Sequence, residues 1–110
     1  MQHWNLLELD APDGTRDPIV LHSDDGARAV LIVLQPGQSL GDHQVKENAW
    51  VTVLEGDVEI TAGDGTVSAS RGSMVRFEPD ERHALSSPGG ARVLILLAPW
   101  PGEGHYRGGR

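Results

Sequence analysis

Turn-forming residues interrupt this chain from end to end, and that punctuation restricts its fold more than any other feature. Fourteen glycines and seven prolines stand among 110 residues, nearly a fifth of the chain against an average near ~12 %. Between them lie short runs of Val, Ile and Leu. The pattern predicts strands at Ile19–His22, Arg28–Leu34, a short segment near Gly41–Val45, Ala49–Glu55, Val58–Thr61, Thr66–Ser70, Met74–Phe77, His83–Ser86 and Arg92–Ala98. Turns are expected at Ser23-Asp24-Asp25-Gly26, Gln35-Pro36-Gly37, Glu55-Gly56-Asp57, Gly63-Asp64-Gly65, Pro79-Asp80-Glu81 and Pro88-Gly89-Gly90. Short strands recurring about every 8–12 residues read as an antiparallel sandwich or barrel. No segment carries helical periodicity over two turns, and no long repeat occurs. The expected organisation is an N-terminal arm at 1–18, one barrel at 19–100 and a loose, Gly-rich tail at 101–110.

Composition narrows the setting. Aromatic residues are few, so the core must be aliphatic. Sixteen acids against nine bases leave a net charge of −7, which repels nucleic-acid phosphates and anionic membrane surfaces. The absence of cysteine removes disulfides, zinc–thiolate sites, Fe–S clusters and thiol nucleophiles together. The first residues, MQHWNLLELDAPDG, meet acids early and lack a basic start, so no signal peptide is read there. The longest apolar runs, Ala29–Leu34 and Val93–Ala98, fall far short of the ~20 residues a membrane helix needs. A cytoplasmic protein, with neither nucleic acid nor membrane as partner, is the expectation. No phosphate-binding loop, nucleotide fingerprint or nucleophile elbow is present.

Those two apolar runs carry a further implication. Their residues are apolar at successive positions, so both faces of each strand avoid water. A barrel interior covers one face only. A second copy of the chain is expected to cover the other, with the N-terminal arm folding over it as the alternative.

Spacing of glycines and histidines resembles that of the cupin superfamily. Gly37 is followed after five residues by His43, and thirteen residues after His43 comes Gly56, within Val53-Leu54-Glu55-Gly56. Gly72 is followed eleven residues later by His83, through Val75-Arg76-Phe77-Glu78-Pro79. The resemblance covers residues 19–98 and implies an all-β, antiparallel jelly-roll barrel, a double-stranded β-helix. It also implies an inward set of two His and a Glu from the first motif and one His from the second, holding a divalent metal. His43 matches the first ligand and His83 the last. Val45 stands at the second His position and Ala49 at the Glu position, where neither can donate to a metal. Glu78 stands where Pro is usual, and Asp80 where Gly is usual.

Strand alternation places Val45 on the same side as His43, and Ala49, Val51 and Val53 on one face of the next strand. The opposite face carries Trp50, Thr52 and Leu54. The candidate pocket is therefore His43, Val45, Ala49, Val51, Val53 and His83, an aliphatic wall with two imidazoles. Three readings follow. The pocket binds a small organic molecule without metal, with Lys46 and Glu47 at its rim. Alternatively, His43 and His83 hold Fe, Mn, Ni or Zn with a third ligand from Glu47 or Gln44, giving a cupin enzyme of dioxygenase, isomerase or lyase type. In the third reading the histidines are structural and the barrel works through its dimer surface. Arg28 and Arg76 are expected on the solvated outer face, with reach into the barrel to pair an anionic ligand as the alternative, and Trp50 and Trp100 in edge or interface packing.

Overall fold

Val and Ile have stiff, branched side chains that pack well on a pleated surface. The apolar runs are strands in the computed structural model, which describes residues 1–10, 18–63 and 65–102. Eight strands occur among the described residues: β1 (Ile19–Ser23), β2 (Arg28–Leu34), β3 (Gln38–His43), β4 (Asn48–Ala62), β5 (Gly65–Ser70), β6 (Met74–Phe77), β7 (His83–Ser87) and β8 (Ala91–Ala98). The strand expected near Gly41–Val45 starts earlier and ends at His43. Every pairing is antiparallel, in the order β1-β2-β8-β4-β6 for one sheet and β3-β7-β4-β5 for the other. The two sheets curl around one aliphatic core as a jelly roll. Parts of the expected arm (11–17) and tail (103–110) lie outside the described residues.

One expectation is corrected. Glu55-Gly56-Asp57 does not separate two strands, because β4 runs through it for fifteen residues and belongs to both sheets. The ladder with β8 slips between Val53 and Glu55, which pair with Val93 and Arg92. One extra residue on β4 therefore opposes β8, the signature of a β-bulge. Before this corner Ala49, Val51 and Val53 are buried, and after it Val58 and Ile60 are. Gly56 makes the corner possible: its φ is +83°, and a Cβ there would collide with the carbonyl oxygen of Gly90 and the backbone of Ala91.

A second bulge matters for the site. Leu40 of β3 pairs with Leu85 of β7, yet His43 pairs with His83, so three steps on β3 meet two on β7. In a regular strand Leu40 and His43 would face opposite sides. The bulge turns both toward the interior.

The outer face of the first sheet is covered unevenly. Arg92 of β8 donates through Nη1 to the carbonyls of Leu6 (3.0 Å) and Leu9 (2.6 Å), and also lies near Glu55 and Asp10. The arm thus folds over that end, and Leu6 and Leu9 are half-buried. Farther along, Trp50, Thr52, Met74, Leu94, Leu96 and Ala98 line an apolar groove open to solvent. Met74 is 64 % exposed and Leu96 39 %.

Candidate functional site

Each inner strand contributes to one cavity of about 270 Å³ between the two sheets. From the first sheet come Arg28, Val30 and Ile32 of β2, Ala49 and Val51 of β4, and Ile95 and Leu97 of β8. From the second come Leu40 and His43 of β3 and His83 and Leu85 of β7, with Val45 just beyond β3. Pro18 and Trp100 complete the lining among the described residues. Most of these positions follow from alternation along strands whose opposite faces look outward.

The imidazoles meet across the second sheet. His43 and His83 are directly paired residues, with ring centroids 4.3 Å apart and planes inclined at 62°. Phe77 stacks flat on His83, with centroids 3.8 Å apart and planes within 4°. Each histidine donates its Nδ1–H to a backbone carbonyl, His43 to Gly41 at 2.7 Å and His83 to Glu81 at 2.9 Å. A carbonyl can only accept, so the proton sits on Nδ1 and the neutral ring keeps its lone pair on Nε2. Burial pushes the pKa of His83, 4 % exposed, below the usual histidine range. The charge of nearby His43 adds to that shift, and the bond to the Glu81 carbonyl opposes it. His83 is therefore a neutral hydrogen-bond acceptor at neutral pH.

The loop carrying the first motif is fastened to the turn of the second. Asp80 N–H donates to the Val45 carbonyl at 2.7 Å, and Lys46 Nζ reaches Asp80 Oδ1 at 2.7 Å. Asp80 holds φ at +65°, the left-handed region that the usual glycine reaches without penalty and that Asp tolerates better than most residues. The departure from the motif therefore preserves the turn.

Of the expected pocket residues, His43, Val45, Ala49, Val51 and His83 line the cavity. Val53 is buried in the core and is not among the lining side chains. Lys46 and Glu47 do not form the rim. Lys46 is engaged with Asp80, while Glu47 is fully buried and its Oε2 accepts the N–H of Gly102 at 2.7 Å. Gln44 is exposed and not part of the lining. Among the described residues no group of three or more His, Asp or Glu could hold a metal ion. The donor set does not fit the family's metal: two imidazoles remain, and the other two motif positions present the alkyl groups of Val45 and Ala49 to the cavity.

Arg28 takes the inward alternative rather than the solvated outer face, and Trp100, expected in edge or interface packing, joins it at the cavity. Arg28 lines the cavity, and its guanidinium carbon lies 4.6 Å from the centroid of a Trp100 ring. The signal lay in β2, where Arg28 shares the parity of Val30, Ile32 and Leu34. Arg76, by contrast, is exposed and bonds Asn48 Oδ1 at 2.6 Å. Trp50 lies in the outer groove, where edge or interface packing was expected.

Comparison with known proteins agrees with this architecture. The cupin domain model matches residues 30–99, well over half of the chain. An RmlC-like cupin protein from Desulfovibrio desulfuricans superposes with a TM-score of 0.80 at 26 % identity, covering 90 % of this chain and 97 % of that one. A cupin superfamily protein from Desulfitobacterium hafniense gives 0.75 at 17 % identity over 82 % and 83 % of the two chains. A double-stranded β-helix domain protein from Klebsiella pneumoniae gives 0.76 at 20 % identity over 96 % and 94 %. Among curated proteins no sequence match was found. Among the described residues no helix is long and apolar enough to cross a membrane. With its jelly-roll topology, its motif spacing and the matching domain model, the chain belongs to the cupin family.

Proposed function

We propose that this cupin barrel binds a small organic molecule in its interior cavity, with His43 and His83 as polar contacts and no metal between them. One observation carries the reading: an apolar cavity with two facing imidazoles, each fixed through Nδ1 to a backbone carbonyl, and aliphatic side chains at the other two motif positions. Apolar walls with a few convergent polar groups are the usual make-up of a small-molecule site. Each fixed tautomer leaves Nε2 to accept a hydrogen bond from a ligand hydroxyl, amide or acid. A fragment screen by ligand-observed NMR tests the reading. Hits are expected on the wild type and lost in Val51→Trp, which fills the cavity. Protein purified without added metal should carry no stoichiometric Fe, Mn, Ni or Zn. Stoichiometric metal that disappears in His43→Ala and His83→Ala would overturn the metal-free reading in favour of the cupin enzyme.

The outer groove supports a second element of the proposal, association of two copies across β4, β6 and β8. With a net charge of −7 on each chain, a self-contact needs a centre without charge, and the six groove residues are all uncharged. Sedimentation at micromolar concentration should give twice 11.8 kDa, and Leu96→Glu should return the monomer. A wild type that sediments only as the monomer removes this element and leaves the cavity reading standing.

A further inference from the structure

We infer that the cavity is selective for small monocarboxylic acids and that Arg28 is the group that holds the carboxylate. The inference rests on the binding function proposed above and deepens it by naming the ligand class. Arg28 opens β2 and shares its inward face with Val30 and Ile32, so strand alternation carries the only strong cation of the described lining into an aliphatic wall. No Asp or Glu is among the described residues lining the cavity, although the chain holds sixteen acids. Of the other described arginines, Arg76, Arg82 and Arg92 each lie within ion-pair distance of a carboxylate, while Arg71 is exposed in the turn after β5 and away from the cavity. Arg28 instead lies over an indole face and makes no ion pair with a described residue.

That difference has a chemical meaning. Stacking on an indole orients a guanidinium through its face and leaves its in-plane N–H donors for another partner. A carboxylate matches that edge with two parallel hydrogen bonds, and the match is stronger in an apolar cavity than in water. The ligand body is limited by the cavity to a compact apolar group. The opposite sheet offers His83, held neutral by burial, and so places no second cation deep in the wall to compete for the acid.

The test uses a panel of four acids, benzoate, cyclohexanecarboxylate, hexanoate and isovalerate, each beside its neutral primary amide. Binding is measured calorimetrically at pH 8 and low salt on the full chain, for wild type and Arg28→Gln. At least one acid should bind wild type ten-fold or more tighter than its amide, the order expected for a charged, bidentate pair. Arg28→Gln should bring that ratio to about one while the amide keeps its affinity, which also shows that the variant is folded. Equal affinity of acid and amide for wild type overturns the carboxylate inference and leaves the cavity function intact. An acid preference that survives in Arg28→Gln overturns the role of Arg28. Binding of neither series at millimolar concentration overturns both the inference and the function on which it rests.

Discussion

The barrel interior has two unlike ends, although the same strands supply both. Toward the β4 corner, Leu34, Val53, Val58 and Val93 are almost wholly buried in continuous aliphatic packing. At the other end β2, β4 and β8 continue with the same kinds of residue, but they enclose open volume bounded by Leu40, His43, His83 and Arg28. Hydrophobicity does not separate the ends, since both are lined mainly by Val, Ile, Leu and Ala. Side-chain volume at a few inward positions does. Val45 and Ala49 are short where the family's pattern calls for long ligating groups, and space is left beside the histidines.

Removing equal volume from each end tests that difference most directly. Leu34→Ala at the packed end should lower stability by about 3–5 kcal/mol, because the surrounding residues cannot close the void. Leu40→Ala, at the cavity edge and only half-buried, should lower it by about 1 kcal/mol or less. Urea denaturation reads both, and equal losses would mean that the two ends are packed alike. Adding volume is the complementary operation. Ala69→Ile should destabilise by about 1–3 kcal/mol through overpacking, whereas Ala49→Ile should be neutral or stabilising by up to about 1–2 kcal/mol as it fills open space. Ala49→Ile should also abolish binding of every cavity ligand; a variant that still binds would place the ligand elsewhere.

The smallest expected effect separates the ends by pH. The unfolded imidazole of His83 takes up a proton near pH ~6.5, while the folded ring, with its lowered pKa, takes it up only in more acid solution. Between those points the unfolded state binds more protons, so stability falls as pH drops below about 6.5, by at most ~1.4 kcal/mol per pH unit for one group. His83→Gln should flatten this stretch of the profile, measured by urea midpoints from pH 8 to 5. Exposed Asp24, held at about 2 by His22 and by the N–H groups of Gly26 and Ala27, acts in a separate window below about pH 4. A wild-type profile that is already flat between pH 8 and 5 would mean that His83 is hydrated at the open end.

Much of this was legible in the residues. Turn residues gave the strand series, and the spacings from Gly37 to His43 and from Gly72 to His83 brought the two imidazoles to one site. Alternation also placed Val45, Ala49 and Val51 on the cavity wall. The rest was hidden for identifiable reasons. Glu55-Gly56-Asp57 has the composition of a hairpin turn, and only its pairing with β8 shows a bulge within one strand. In β2 the apolar residues are continuous, so the sequence does not declare which parity faces inward, and Arg28 read as solvated. Glu47 lies between two motif positions, but its partner is the backbone of Gly102, fifty-five residues away, which no local spacing could reveal.

The bulge in β4 also acts on the protein's charge. Had the alternation that buries Ala49, Val51 and Val53 run on unbroken, the next inward positions would have been Glu55, Asp57 and Glu59. Three carboxylates would then have faced the core, where an ionised group is several kcal/mol out of place. By resetting the strand's reading frame, a single extra residue sends those acids to water and delivers Val58 and Ile60 in their stead. The corner is thus what lets so acidic a chain keep the carboxylates of β4 out of its core, and loss of one residue there would turn the barrel's polarity inside out along half of its longest strand.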